Sequence, residues 1–372
     1  MEVSELRLYD RSRVVTDWTC ARKRYLQYEY LNKGIVSDHQ GLELFLGTQL
    51  HDGLAAIARG IDIDDIAHAA TKQIYMTLVE SQIGEVENTD FIHEQQSLVE
   101  GLLRGFHKHQ WPRIQALYPT VLFIEEELTY VHNGLTFMAK PDLVVADTEG
   151  NAYYIEYKST SSKKDDWVNS WNTAVQIHST CKAIEATKGV KITATIVQGL
   201  YKGYVINSKQ TSPFCYGYKR NANPPFVTGE VGYEYKAGLK KVPVFQMEEG
   251  VKGWVDGMPE DLLANQFPQT PPIFMKEDLV DTFFNQRDMR EHEIRIASEM
   301  LQLPHVTDVG RKEVLDMAFP QRFDQCYPAW GGHKCEFVKI CHGNVVDPLK
   351  EGFTWRTAHH ALEAEQHGTT IE

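Results

Sequence analysis

The chain contains no apolar run of eighteen residues, so hydropathy predicts no membrane-spanning helix. Its first residues, MEVSELRLYDRSR, lack the apolar stretch of a secretory leader, so none is expected and the expected compartment is the cytoplasm. Basic charge is not in excess: 38 Lys and Arg stand against 51 Asp and Glu, a formal net charge of −13. That balance excludes a protein that coats nucleic acid through its overall charge. It leaves room for a local basic groove, and bound metal ions bring positive charge of their own. Cysteine is scarce, with six in 372 residues. In a cytoplasmic chain of this size disulfides are not expected, which leaves metal ligands, catalytic groups or buried free thiols. The length allows one large domain or two ordinary ones, and the composition is that of a globular protein.

What is present centres on residues 139–158, AKPDLVVADTEGNAYYIEYK. Residues 143–146 form a short apolar run, and residues 152–158 alternate apolar or aromatic with polar. Between them lies Asp147-Thr-Glu-Gly-Asn151, a cluster of turn formers, so the spacing predicts a β-hairpin. Asp142 precedes Glu149 by seven residues and Glu156 follows it by seven, so a turn near Glu149 sets the two carboxylates opposite each other. Strand side chains alternate, so Glu156 and Lys158 share a face and Ile155 and Tyr157 face away. Two carboxylates and one ammonium then converge. Close carboxylates repel unless a cation lies between them, and hard oxygen ligands suit Mg²⁺ or Mn²⁺.

Four other stretches carry candidate chemistry. Residues 7–30 hold Trp18, Cys20 and the basic run Arg22-Lys23-Arg24, on a predicted helix. The run is either a solvated face or a set of phosphate contacts. In residues 40–59, Leu42, Leu46, Leu50, Leu54 and Ile57 recur at helical spacing, with His51 at the edge of the stripe as a structural residue or a ligand. Residues 201–241 hold seven Lys or Arg, Lys219 and Arg220 among them, against two acids, with eight aromatics interleaved. That mixture suits a nucleic-acid strand, through phosphate neutralisation and base stacking, or a β-rich insertion with half-buried tyrosines. Finally, Cys326, Cys335 and Cys341 lie close in sequence and make an incomplete set of four, for which Cys20 is the natural fourth. Four thiolates hold [4Fe–4S] or zinc equally well, and free buried thiols are the plain alternative.

Pro141-Asp142 followed by Glu156-Tyr157-Lys158 resembles the PD-(D/E)XK nuclease superfamily. Gly47-Thr-Gln-Leu-His51 is similar to the Gly-x-x-x-His helix by which its RecB-like branch supplies a histidine to the metal. Gln176 resembles the glutamine of that branch's Gln-x-x-x-Tyr pair, although Thr180 stands where tyrosine is usual. The four cysteines resemble the iron–sulfur staple of a subgroup that includes AddB-type nuclease domains and the CRISPR-associated RecB-like exonuclease. The trio there is C-x2-C-x5-C, whereas the first spacing here is x8.

The resemblance implies an α/β fold with a restriction-endonuclease-like core, a mixed central sheet flanked by helices, carrying helical and β-rich insertions. One nuclease domain over residues 1–372 is expected. Its N-terminal helices reach residue 60, a helical insertion covers 61–118 and the catalytic core 119–200. A basic–aromatic insertion covers 201–272, a C-terminal helix and the cysteine region 273–353, and a weakly ordered tail 354–372. The resemblance also implies catalytic Asp142, Glu156, Lys158 and Gln176, and metal ligation by His51, Asp142, Glu156 and the Tyr157 carbonyl. The function implied is a metal-dependent deoxyribonuclease, an exonuclease acting on DNA ends or single strands in recombination, repair or phage DNA metabolism. The alternative is a DNA-binding or scaffolding subunit of a larger recombination complex. DNA and a recombination or replication protein are the expected partners, with no membrane and no nucleotide cofactor.

Overall fold

The computed structural model describes residues 8–37, 42–81, 89–160, 167–168, 171, 176–206, 209–219, 240–275, 277–327, 334–343, 347–358, 360 and 363–365. Strand β1 (Leu8–Asp10) runs into helix α1 (Arg11–Thr19), whose first turn is capped by Asp10, its carboxylate accepting from the Arg13 N–H at 2.8 Å. Two short helical turns, Ala21–Arg24 and Tyr25–Glu29, lead to β2 (Ile35–Ser37). Then come α2 (Leu42–Ala58), α3 (Ile63–Ser81), α4 (Thr89–Gly105) and α5 (Trp111–Leu117), which realise the helical reading of this region. In α2 the expected stripe is buried, with Leu46, Leu50, Leu54 and Ile57 all inside.

The catalytic-core region contains β3 (Thr120–Ile124), β4 (Leu128–His132), β5 (Leu135–Ala139), β6 (Leu143–Ala146), β7 (Ala152–Thr160), α6 (Gln176–Lys188) and β8 (Ile192–Tyr201). The predicted hairpin is β6–β7, paired antiparallel with Leu143 opposite Ile155. Its turn is held by the Asp147 carboxylate, which accepts from the backbone N–H groups of Glu149 and Asn151, each at 2.9 Å. The sheet order is β3-β6-β7-β8. Its first three strands are antiparallel, and β8 returns parallel to β7 after α6, so the sheet is mixed, as expected. A second sheet, β1-β5-β4, joins the N-terminus by a parallel pairing of β1 with β5.

Alternation along the hairpin divides the core in two. Leu143, Val145, Ile155 and Tyr157 pack on the apolar stripes of α2 and α4. Val144, Ala152 and Tyr154 pack instead with Cys181 and Ile184 of α6 and with Tyr9 and Phe137 of the second sheet. Each such side chain contributes about 1.5–3 kcal/mol on burial. A slip of one residue would exchange the two sets, so the register is fixed from both sides.

Between β3 and β4 the chain changes sheets: Glu125 adopts φ 48°, its N–H turns to the carbonyls of Pro141 and Asp142, and β3 and β4 enter different sheets. The proline-rich stretch after residue 265 lies along β8, with bridges Gln198↔Gln269 and Thr195↔Ile273, and so closes that sheet edge. The tail expected to be weakly ordered is anchored where it is described: β9 (Phe353–Trp355) pairs with β2, and Arg356 and Glu363 are buried against each other and against Arg13. Helix α6 begins at Gln176, and most of residues 165–175 before it lie outside the described residues. Of the basic–aromatic insertion, short strands at Tyr204–Ile206, Lys209–Thr211, Tyr216–Lys219 and Lys240–Pro243 are described.

Candidate active site

Asp142 stands just before β6, at the end of the hairpin away from its turn. Carried one step beyond Leu143↔Ile155, the register sets Asp142 opposite Glu156. Asp142 Oδ2 accepts from the Tyr157 N–H at 2.7 Å, and Oδ1 lies 3.1 Å from His51 Nδ1. The α2 helix delivers this imidazole across the face that carries Tyr157. Glu125 joins them, held by its N–H bonds to the carbonyls of Pro141 and Asp142 at 3.0 and 3.2 Å. His51, Glu125 and Asp142 each offer a ligand atom within 4.8 Å of the others. Burial disfavours the imidazolium, but the Asp142 carboxylate outweighs it, and the His51 pKa is raised.

Glu156 is 2 % exposed. One carboxylate oxygen takes the Lys158 ammonium and the Arg11 guanidinium, the latter at 2.5 Å from Nη1. The other accepts from the Tyr154 hydroxyl. Burial alone would raise this carboxyl, yet Lys158 and Arg11 outweigh it and bring the pKa down to about 2. Tyr157 reaches the group through its N–H, for its ring is buried beside Phe106, and burial pushes its phenol up, reinforced by Asp142 and Glu125. A cleft of about 630 Å³ opens over these residues, lined among others by Arg11, Ser12, Lys140, Asp142, Glu156 and Lys158.

Other expected residues fall as follows. Gln176 opens α6, and its side chain lies outside the described residues; Thr180, one turn on, is buried at the cleft wall. The basic run is engaged inside the protein. Arg24 is fully buried between Glu29 and Glu291, which corrects its reading as a phosphate contact. Arg22 donates to the Phe319 carbonyl and Asp316, and Lys23 pairs with Glu336 at 3.2 Å, so both are tied to the C-terminal region rather than presented to a strand. The side chain of Lys219 and the whole of Arg220 lie outside the described residues.

The four cysteines come together. The Cys326, Cys335 and Cys341 thiols are each raised, first by burial, and each lies close enough to Cys20 to feel its charge. Burial takes Cys341 to about 12. His342 lies beside them, its Nε2 3.4 Å from Cys326 Sγ. Among the described residues the group with ligand atoms all within 4.8 Å is the His51 set, so the four sulfurs are spaced more widely.

Arg11 and Tyr154 were missed in sequence. Tyr154 had a signal, since it lies two residues before Glu156 on the same strand face. Arg11 had none, because only the parallel pairing of β1 with β5, more than a hundred residues away, brings it to the cleft.

A histidine and two carboxylates gathered around one point, beside a buried Glu-x-Lys strand in an open cleft, can hold a divalent cation against a phosphate. The chain matches the family model of the PD-(D/E)XK nuclease superfamily over residues 12–256 and belongs to that superfamily. Its members are generally phosphodiester hydrolases that use Mg²⁺ or Mn²⁺. No curated protein matches the chain.

Proposed function

We propose that the protein is a metal-dependent deoxyribonuclease of the RecB-like branch, an exonuclease acting on DNA ends or single strands in recombination, repair or phage DNA metabolism. The observation that carries this reading is the meeting of His51, Glu125 and Asp142 beside the Glu156–Lys158 strand. The donor set fits Mg²⁺ or Mn²⁺, since hard carboxylate oxygens predominate and one imidazole completes it. His51, Asp142 and Glu125 would hold the ion, with Glu156 and the Tyr157 carbonyl on the adjoining strand as further proposed ligands. When bound, the ion supplies the charge that polarises the phosphate and acidifies a water.

The chain's own residues do the rest. Lys158 presents its ammonium from the same strand face as Glu156, orients the attacking water and offsets charge on the phosphate. Asp142 is oriented by the Tyr157 N–H, so its position is set by the sheet itself. Gln176, at the start of α6, positions Lys158 or the strand.

The four cysteines are proposed to hold a [4Fe–4S] cluster that ties the N-terminal helices to the C-terminal region. Four thiolates hold [4Fe–4S] or zinc, and iron with labile sulfide content separates the two.

The test is incubation of anaerobically purified protein with end-labelled linear and circular DNA, single- and double-stranded, in Mg²⁺, Mn²⁺ or EDTA, beside Glu156→Ala. Metal-dependent loss of linear DNA alone, absent in the variant, is the expected result. Cutting of circles would make it an endonuclease. Binding without cleavage in every condition would overturn the nuclease reading in favour of a scaffolding subunit.

A further inference from the structure

Glu156 accepts three donors at once: Lys158, Arg11 and the Tyr154 hydroxyl. Two of the three are positive and share Oε1, so a divalent cation arriving at this carboxylate, the central acid of the Glu-x-Lys strand, meets a charge that is already matched. One of the two cations bound to it has to be displaceable. Lys158 stands two residues along the same strand face and is 29 % exposed, as Arg11 is, so what separates the two is the element that carries them. Arg11 comes from elsewhere: it is the first residue of α1, reaches in from the cleft wall, and its side chain is 29 % exposed. Its charge also acts on Asp142, so it lies in the field of the whole ligand set. A guanidinium differs from an ammonium in presenting a planar fork that matches two phosphate oxygens. Beside it in the cleft are Ser12 and Thr16.

We propose that Arg11 is a substrate-binding residue that competes with the divalent cation for Glu156, and that its alternative partner is a phosphate of the DNA strand. The proposal rests on the nuclease reading of this site. A divalent cation added to a buried carboxylate that already carries two positive groups raises the repulsion among them, so cation binding at Glu156 frees the guanidinium. The phosphate then becomes the anion nearest to it. The exchange keeps every charge paired: Glu156 passes from Lys158 and Arg11 to Lys158 and the metal, and Arg11 passes to the phosphate. It also couples metal loading to strand binding, because each makes the other easier.

Two binding measurements test it without relying on cleavage. The first is Mn²⁺ titration in the absence of DNA, followed by electron paramagnetic resonance, on wild type, Arg11→Gln and Asp142→Asn. The second is binding of an end-labelled single-stranded oligonucleotide in Ca²⁺ over a range of salt. Arg11→Gln is expected to bind Mn²⁺ severalfold tighter, since its competitor is gone. It is expected to bind the oligonucleotide roughly tenfold more weakly, with a salt slope smaller by about one. Unchanged or weaker Mn²⁺ binding would overturn the competition, and unchanged oligonucleotide binding would overturn the phosphate contact. Should Arg11→Gln fail to fold by circular dichroism, Arg11→Lys takes its place. It keeps the charge and loses the fork, so near-wild-type Mn²⁺ affinity with weakened oligonucleotide binding is expected, and wild-type oligonucleotide binding would overturn the proposal. Failure of the nuclease reading looks different: Mn²⁺ binding by wild type would be absent or indifferent to Asp142→Asn, and the proposal would fall with it.

Discussion

The backbone N–H of Tyr157 donates to Asp142 Oδ2 at 2.7 Å, so the proposed ligand carboxylate is positioned by the strand that carries Glu156 and Lys158. The two residues are fifteen apart, and hairpin register alone brings them together. This separates two roles of one side chain. Asp142→Asn keeps an acceptor for the N–H but removes the charge. Asp142→Ala removes both and leaves a backbone donor without its partner, at about 1–3 kcal/mol. Denaturant unfolding is expected to rank Asp142→Asn near wild type and Asp142→Ala below it. Both should lose Mn²⁺ affinity and cleavage, by on the order of a hundredfold or more.

Glu156 sets a pH dependence of stability. Its carboxyl falls from 4.5 to about 2 on folding, because Lys158 and Arg11 together outweigh its burial. A depressed carboxyl contributes stability above its unfolded pKa and loses it as pH falls through the folded one. The contribution is about 3 kcal/mol, present above about pH 4.5 and lost towards pH 2. Glu156→Gln cannot titrate. Denaturation of the metal-free protein between pH 6 and pH 2 should therefore show a steeper loss for wild type than for Glu156→Gln. Parallel curves would remove the ion triad as the cause.

Glu363 is shared by two arginines. Its carboxylate takes Arg13 from α1 and Arg356 from just after β9, and all three are buried. Arg13 and Arg356 also lie over the Tyr28 ring. Glu363→Ala leaves two guanidinium groups facing each other without that anion. Breaking a buried pair costs about 3–5 kcal/mol, so a large drop in unfolding free energy is expected. Because Arg11 begins the same helix as Arg13, the oligonucleotide affinity of the folded fraction serves as a second readout. A loss below about 1 kcal/mol would show that water reaches the arginines.

The hairpin and its carboxylates were legible because period-two alternation and a turn cluster are local signals, and register converts them into a distance. The α2 stripe and His51 were legible for the same reason, through period 3.6. The remainder depended on partners far apart in the chain. Glu125 could not be singled out from Glu126 and Glu127 until its backbone turned away from the strand. Arg11 needed the β1–β5 pairing. Arg24 looked like a surface charge because composition does not show Glu291 waiting on a helix more than two hundred and fifty residues later. The tail looked weakly ordered because its anchors, Arg356 and Glu363, are polar, and buried polar pairs leave no hydrophobic pattern to read.

The cysteine region offers a further expectation, and it concerns how much stability a cluster adds. Linking Cys20 to Cys326 closes a loop of about 300 residues, which in the chain-entropy model amounts to no more than about 6 kcal/mol. The same junction is held in other ways. Ala21, Ile294 and Phe319 share one apolar core, and Leu26, Ile35, Phe337 and Phe353 share another. Arg22 donates to the Phe319 carbonyl at 2.8 Å across the gap. Loss of the cluster should thus loosen the junction without unfolding the catalytic sheet. In Cys326→Ser, iron, labile sulfide and visible absorbance should fall together. The expected melt then shows an early transition for the C-terminal region ahead of a main one close to wild type. Mn²⁺ binding at Asp142 is expected to survive the first transition. A single transition that takes Mn²⁺ binding with it would instead make the cysteine group part of the catalytic unit's own folding core.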